Sequence, residues 1–260
     1  VNASAPRPVG DGMRSDDLVA LCRSAGDPDL GLVLAGEGNA SIETPRGTLL
    51  VTASGARLRD LGPDSIIEIR SDMLLAALQE TRDDAEWLAA LQNSRVDPKA
   101  ARPTVEAGLH AVLHETCGTP VLLHTHPTEL LAVLCSAHAA RFAQQRLTPD
   151  HVVLCGPADC LVPYVDPGRE LAVRVQVAVD EYLATHERPP RTVLLSNHGM
   201  VALGRSVRDA LDVTLMTVKA ARVTVLGGSL GGVRGLLTAD VARIDTREDE
   251  QYRRRVLTER

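Results

Sequence analysis

The stretch Val121-Leu122-Leu123-His124-Thr125-His126-Pro127 constrains this chain more than any other. A short apolar run of β type leads into His-x-His, and Pro127 then opens a helical pattern. Side chains alternate along a strand, so residues two apart share a face. His124 and His126 can therefore present two imidazoles side by side at a strand end, at a spacing that one transition-metal ion accepts. A third candidate ligand, His198, sits in Ser196-Asn197-His198-Gly199, behind a second apolar run, Val193-Leu194-Leu195. An isolated His-x-His is more often a pair of ordinary strand histidines, and the second strand with its His-Gly turn gives the metal reading its weight. Three histidines with one position left open are the makings of a catalytic zinc site, not a structural one.

Composition removes several other classes. A length of 260 residues suits one core-bearing α/β domain and leaves little room for two. Hydrophobic residues make up 44% without any long unbroken apolar segment, which predicts a soluble protein and no membrane span. A net charge of -6 and an aromatic content of 2% argue against a nucleic-acid partner, which needs cations and stacking platforms. The five cysteines show no Cys-x-x-Cys spacing, as expected for a reduced, cytoplasmic protein. Lysine occurs only at 99 and 219, neither in a pocket-like motif, which speaks against Schiff-base chemistry. Residues 1–12 are polar and rich in Pro and Gly, without a signal-peptide pattern, and read as a disordered lead-in.

Along the rest of the chain, Ser15 with Asp16-Asp17 is expected to cap a first helix. The turn Gly36-Glu37-Gly38-Asn39 either exposes backbone N–H groups to an anion or simply precedes a hairpin. Residues 40–43 and 48–52 pair around Pro45-Arg46-Gly47, and Thr52-Ala53-Ser54-Gly55 is a second small, donor-rich turn. Residues 71–95 carry helical spacing, Arg82-Asp83-Asp84 being a solvated helix start. Thr104 is the expected N-cap of a helix through Leu113, with Glu106 in a first turn where the helix dipole favours a carboxylate. His110 reads as a core or supporting histidine, not a ligand. Val152–Leu154 and Cys160–Val162 are expected strands, 169–182 and 207–226 helices, and 229–260 a charged, partly ordered tail following a catalytic domain of 13–228. Hairpins mixed with single strands and helices imply an α/β fold, a single-domain αβα arrangement with a mostly antiparallel or mixed sheet.

Taken together, these motifs resemble the class II aldolase/adducin family. The likeness rests on Gly38-Asn39-Ala40-Ser41, Thr52-Ala53-Ser54-Gly55, Arg102-Pro103-Thr104-Val105-Glu106 with Leu109-His110, His124-Thr125-His126-Pro127, and Asn197-His198-Gly199 with Gly204. It runs through residues 15–226 in the family's order and spacing. Val162–Gly168 with Leu171-Ala172 is most similar to the rhamnulose-phosphate branch, including the aldolase half of bifunctional aldolase–dehydrogenases, with no dehydrogenase half expected here. The resemblance implies a three-layer αβα fold, Zn2+ (or another divalent transition metal) on His124, His126 and His198, and Glu106 as catalytic base. It further implies that Gly38, Asn39, Ser54, Gly55 and Thr104 contact a phosphorylated sugar, and that the chain forms a homotetramer. Two departures stand out. Thr104-Val105 replaces a pair of serines, and Val152 occupies the position of the tyrosine proton donor found in fuculose-phosphate aldolases. The donor candidates become His151, Asp150, Tyr164 and Tyr252.

The expected activity is cleavage of a ketose 1-phosphate to dihydroxyacetone phosphate and an aldehyde. Cleavage β to a ketone leaves an enolate, whose charge a metal ion with neutral ligands can stabilise. The same scaffold hosts pentulose-phosphate 4-epimerases and sugar-acid phosphate decarboxylases, which share that enolate. A non-catalytic adducin-like module and a non-haem iron enzyme are the alternatives of a different class.

Overall fold

A computed structural model describes residues 13–81 and 83–258. The lead-in expected at 1–12, and Arg82, lie outside the described residues. Helix α1 (Ser15–Ala25) is followed by strands β1 (Asn39–Glu43), β2 (Leu49–Thr52) and β3 (Ile66–Ile69), then helices α2 (Ser71–Glu80), α3 (Asp84–Asn93) and α4 (Ala107–Cys117). Strand β4 (Val121–Thr125) leads into α5 (Thr128–Leu134), α6 (Ala139–Gln144) and α7 (Pro149–Cys155). The chain closes with β5 (Cys160–Val162), α8 (Arg169–His186), β6 (Thr192–Leu195), β7 (Gly199–Gly204), α9 (Val207–Gly228), α10 (Thr238–Thr246) and α11 (Glu248–Thr258).

The strands form one seven-stranded sheet in the order β3-β2-β1-β4-β7-β6-β5. Every pairing is antiparallel except β5 with β6. Strand β4 lies at the centre and is buried along its whole length. That burial explains why it reads as an unbroken apolar run and not as an alternating one. One face of the sheet, with Val51, Leu122, Val201 and Leu203, packs against Leu109 and Leu113 of α4 and Leu171 and Val175 of α8. The opposite face, with Ala40, Ile42 and Leu123, packs on α1 and α9, and α5 covers Met200 and Ala202 beside them. The result is the three-layer αβα arrangement with a mixed, mainly antiparallel sheet. Among the described residues no helix is long and apolar enough to cross a membrane.

Several local expectations need correction. Val152–Leu154 is not a strand but the middle of α7. Thr148 accepts the His151 N–H at 3.2 Å and Pro149 fills the first helical position, so a cap outweighs three β-type residues. The region 71–95 holds two helices, and the helix start read at Arg82-Asp83-Asp84 stands at Asp83. Asp83 accepts the Glu86 N–H at 2.8 Å and starts α3 afresh. Thr104 does not cap α4. Its N–H is held by the Thr52 carbonyl at 3.0 Å and Pro103 bridges to Ala53, so a turn, in which Thr104 Oγ1 accepts the Glu106 N–H at 3.3 Å, intervenes before the N-cap position at Glu106. Helix α1 is capped from Arg14, whose N–H donates to Asp17 at 2.7 Å. Within 229–260, α10 and α11 pack on α7, with Val241 and Ile244 against Val152 and Val153.

Candidate metal centre and its cleft

The centre sits where β4 ends beside the β6–β7 turn. His124 is the fourth residue of β4, paired with Asn39 of β1 on one side and Val201 of β7 on the other. His126 follows just past the strand end, and His198 lies in the turn between β6 and β7. The three rings meet edge to face, with centroids 4.6–5.0 Å apart. One ligand atom from each lies within 4.8 Å of the others. Gly199 makes that approach possible, because a Cβ there would sit 2.5 Å from the Thr125 carbonyl oxygen and 2.7 Å from His126 Cδ2. Gly38 does the same on β1's approach, where a Cβ would meet the His124 carbonyl at 2.7 Å.

These side chains have the chemistry of a ligand set. The His124 Nδ1–H donates to the Met200 carbonyl at 2.9 Å, which fixes the tautomer and leaves the Nε2 lone pair facing inward. Burial pushes His124 down to about 4 against a small opposing pull from that hydrogen bond. Burial, followed by repulsion from His124 and His198, pushes His126 down to about 3, partly opposed by Glu106. His198 is lowered by burial and by His124. All three rings are therefore neutral at physiological pH, the form a metal ion requires. Two buried atoms here, Glu106 Oε1 and His198 Nδ1, have no hydrogen-bond partner within the protein. Such orphaned groups fit a site built to hold something further.

Glu106 closes the centre from the N-terminus of α4. Its Oε2 lies 3.2 Å from His124 Nε2, and its Oε1 lies 3.3 Å from His198 Nε2. The Asn39 side-chain amide donates to Oε2 at 2.6 Å, and Asn39 and Glu106 are both nearly inaccessible to solvent. Above this group opens a cleft of about 460 Å³, lined among others by Gly38, Asn39, Ser54, Gly55, Thr104 and Glu106. The structure thus gathers all five expected substrate-contacting residues around one space, with the His126 and His198 rings in its wall. Glu37 lines the same cleft, 3.9 Å from His126 Nδ1. Its position between two glycines was the only hint of that role in the sequence.

The proton-donor candidates fare differently. His151 is buried on α7 beside Phe142 and does not line the cleft. Asp150 pairs with Arg253, and Tyr252 is exposed on α11. Tyr164 is exposed and donates to Asp166 at 2.9 Å, three residues before Pro167, which does line the cleft.

Comparison with known proteins agrees with this geometry. The family model described as Class II Aldolase and Adducin N-terminal domain matches residues 16–225. The chain is 27% identical over 185 residues to the 3-oxo-tetronate 4-phosphate decarboxylase of Escherichia coli K12, covering 70% of this chain and 73% of that protein. It is 24% identical over 195 residues to YuxG of Bacillus subtilis, an uncharacterized oxidoreductase. That match covers 72% of this chain and only 26% of the oxidoreductase. Among solved structures, YgbL of Klebsiella pneumoniae, described as an aldolase/epimerase/decarboxylase, superposes with a TM-score of 0.68 at 23% identity, covering 88% of this chain and 96% of that one.

Proposed function

Given that the chain belongs to the class II aldolase and adducin family, we propose that it is a zinc-dependent carbon–carbon lyase that decarboxylates a phosphorylated 3-oxo sugar acid. The observation that carries this reading is the Glu106 carboxylate, set 3.2 Å and 3.3 Å from two ligand nitrogens, while the cleft's other carboxylate, Glu37, stands 3.9 Å from His126 Nδ1 and is held by the Leu34 N–H at 2.8 Å. Loss of carbon dioxide passes the bond's electron pair to the neighbouring ketone without any base, and only one proton must then reach the carbon left behind. Retro-aldol cleavage needs a second group as well, to take the hydroxyl proton. The sequence likeness to a 3-oxo-tetronate 4-phosphate decarboxylase supports the same choice.

His124, His126 and His198 would hold the metal. A divalent ion on three neutral imidazoles keeps its full positive charge and supplies Lewis acidity towards a ketone oxygen. Gly38 and Gly55, both at φ 75°, bend the backbone into turns suited to a phosphate, with the Ser54 and Thr104 hydroxyls beside them. Asn39 orients Glu106, and Glu106 moves the proton at the reacting carbon. We further infer a cytoplasmic homotetramer, which light scattering would test, and the five cysteines are all unpaired as that compartment requires.

Retro-aldol cleavage of a ketose 1-phosphate is the second reading. The exposed Tyr164 hydroxyl, close in sequence to the cleft residue Pro167, favours it, since a phenol that donates to Asp166 could take the substrate's hydroxyl proton while passing its own to that carboxylate. Two assays on zinc-loaded protein separate the readings. Decarboxylation predicts bicarbonate release from 3-oxo-tetronate 4-phosphate, with deuterium entering the product from D₂O, and Glu106→Gln, which blocks that protonation, ending both signals beyond the first equivalent. Glu106-dependent exchange of a hydroxymethyl proton of dihydroxyacetone phosphate, without bicarbonate release, would establish the second. Neither signal with metal bound would reject both.

A further inference from the structure

Behind Glu106 and the cleft residue Asn39 runs a buried chain of polar groups. Asn39 and Ser41 lie two apart on β1 and so share the face that meets α4, while His110 and His114 lie one turn apart on α4. Asn39 donates to Glu106 Oε2 at 2.6 Å, and His110 Nε2 lies 2.5 Å from Asn39 Oδ1. Ser41 Oγ sits 2.6 Å from His110 Nδ1 and 2.7 Å from His114 Nε2. His114 Nδ1 lies 2.6 Å from the Thr119 carbonyl oxygen. Ser41 and His110 are fully buried and His114 is nearly so. The chain therefore crosses the layer between sheet and helix, from the N-terminus of α4 to its C-terminus.

Counting protons along it leaves little freedom. The Asn39 oxygen only accepts, so His110 carries a proton on Nε2. The Thr119 carbonyl only accepts, so His114 carries one on Nδ1. With both rings neutral, each would then turn a bare lone pair towards Ser41 Oγ, which has a single proton to give. One of two short contacts would be lone pair against lone pair. One additional proton on either ring removes the conflict.

We infer that His114 is an imidazolium and that the chain is a one-way series of donors running from His114 through Ser41, His110 and Asn39 to Glu106. Position on the helix chooses His114 over His110, and the burial of His110 agrees. His114 lies in the last turn of α4, just before the left-handed cap at Gly118, where a positive charge meets the negative end of the helix dipole. His110 is held well below the ordinary histidine range by burial and then by repulsion from His114 and His124, so its ring stays neutral. Helix α4 thus carries a carboxylate at its N-terminus and an imidazolium near its C-terminus, joined by aligned hydrogen bonds. His110, Ser41 and His114 are positioning residues. They commit the Asn39 oxygen to His110 and so commit its NH₂ group to Glu106, whichever bond the cleft breaks.

Neutron diffraction from deuterium-exchanged crystals of the zinc-loaded protein near neutral pH tests this directly. The expected nuclear density is two ring deuterons on His114, one on His110 at Nε2, and the Ser41 deuteron directed at His110. A Ser41→Ala variant should lose the Nε2 deuteron of His114 and keep the Nε2 deuteron of His110. A single deuteron on His114 in the unaltered protein would overturn the inference. So would a deuteron on His110 Nδ1, which marks either a charged His110 or the reversed chain, the latter with the Asn39 amide turned over and a proton on Glu106. If Ser41→Ala does not fold, the unaltered protein decides alone. Because the readout is proton position and not turnover, failure of the proposed reaction leaves it intact.

Discussion

Stripping the metal should turn its ligands into an acid-sensitive weakness. Burial holds His124 at about 4 and His126 at about 3, against an ordinary 6.5. A folded-state value below the unfolded one means that, as pH falls, the unfolded chain takes up protons first. Each ring's contribution is therefore complete above the unfolded value and is lost as pH drops from there towards the folded value. At about pH 5, a ring shifted from about 6.5 to about 4 has cost roughly 2 kcal/mol. Two rings give at most about 4 kcal/mol, since part of the His126 shift is repulsion from His124 and is not counted twice. That is a large share of a typical stability of about 5–15 kcal/mol. For a chain of this size it corresponds to a fall in Tm of about 8–16 °C. Buried His110 and His151, also held well below the ordinary range, act in the same direction. Urea unfolding of metal-free protein between about pH 7.5 and about pH 5 measures the slope. A His124→Gln variant, which cannot titrate there, should lose the roughly 2 kcal/mol that His124 contributes. A metal-free stability that stays flat within about 1 kcal/mol over this range, or an undiminished slope in His124→Gln, would refute the reasoning.

Other consequences follow from the same geometry. His124→Ala should lose most of the bound metal, read by elemental analysis after purification without chelator, and a full equivalent retained would mean the ligand set is wrong. Glu106→Gln should keep the metal while turnover falls by at least about 10²-fold, the lower range for a group that moves a proton in the transition state. Gly199→Ala, which touches no metal ligand bond, should weaken metal affinity because the new methyl collides with the Thr125 carbonyl and the His126 ring. Isothermal titration with zinc would detect the change, and unaltered affinity would show that the turn yields freely. In the core beneath α7, Arg146 and Asp159 form a fully buried two-pronged ion pair at 2.9 Å and 3.0 Å. Arg146→Met should strand the carboxylate and cost about 3–5 kcal/mol in denaturant unfolding, whereas an effect under about 1 kcal/mol would show that water reaches Asp159.

The central strand was open to sequence reasoning because its environment is uniform. Val121–Leu123 is buried on both faces, so composition alone marks it, and the His-x-His at its end falls on one side by strand period. The β6–β7 turn was equally plain from its apolar flanks. Elsewhere a weak propensity misled. Val152-Val153-Leu154 favours a strand in isolation, yet Thr148-Pro149 immediately upstream supplies both a side-chain cap and a preset φ, and these outweigh side-chain preference. The start of α4 failed for the opposite reason. Thr104 is a good cap by type, but its N–H ties it to Thr52, a residue on a different element that no local window contains, and its hydroxyl is spent on the Glu106 N–H in a turn that precedes the helix.

The site divides along the same line. Its ligands and Glu106 could be named because a motif two to five residues long carries each of them. What turns them into one constellation is contact across long separations. Asn39 meets Glu106 67 positions away, and Ser41 meets His114 73 positions away. His110 was legible as a supporting histidine from its place one turn beyond Glu106. Ser41 and His114 were not, although the spacing of both was in view: Ser41 is two residues from Asn39 on a strand, and His114 is four from His110 on a helix. Each spacing places a polar group on a buried face, where it must find a partner. A serine on one buried face and a histidine pair on another satisfy that demand only by meeting. Pairing the unsatisfied buried polar positions of neighbouring elements would have found the chain before any coordinates did.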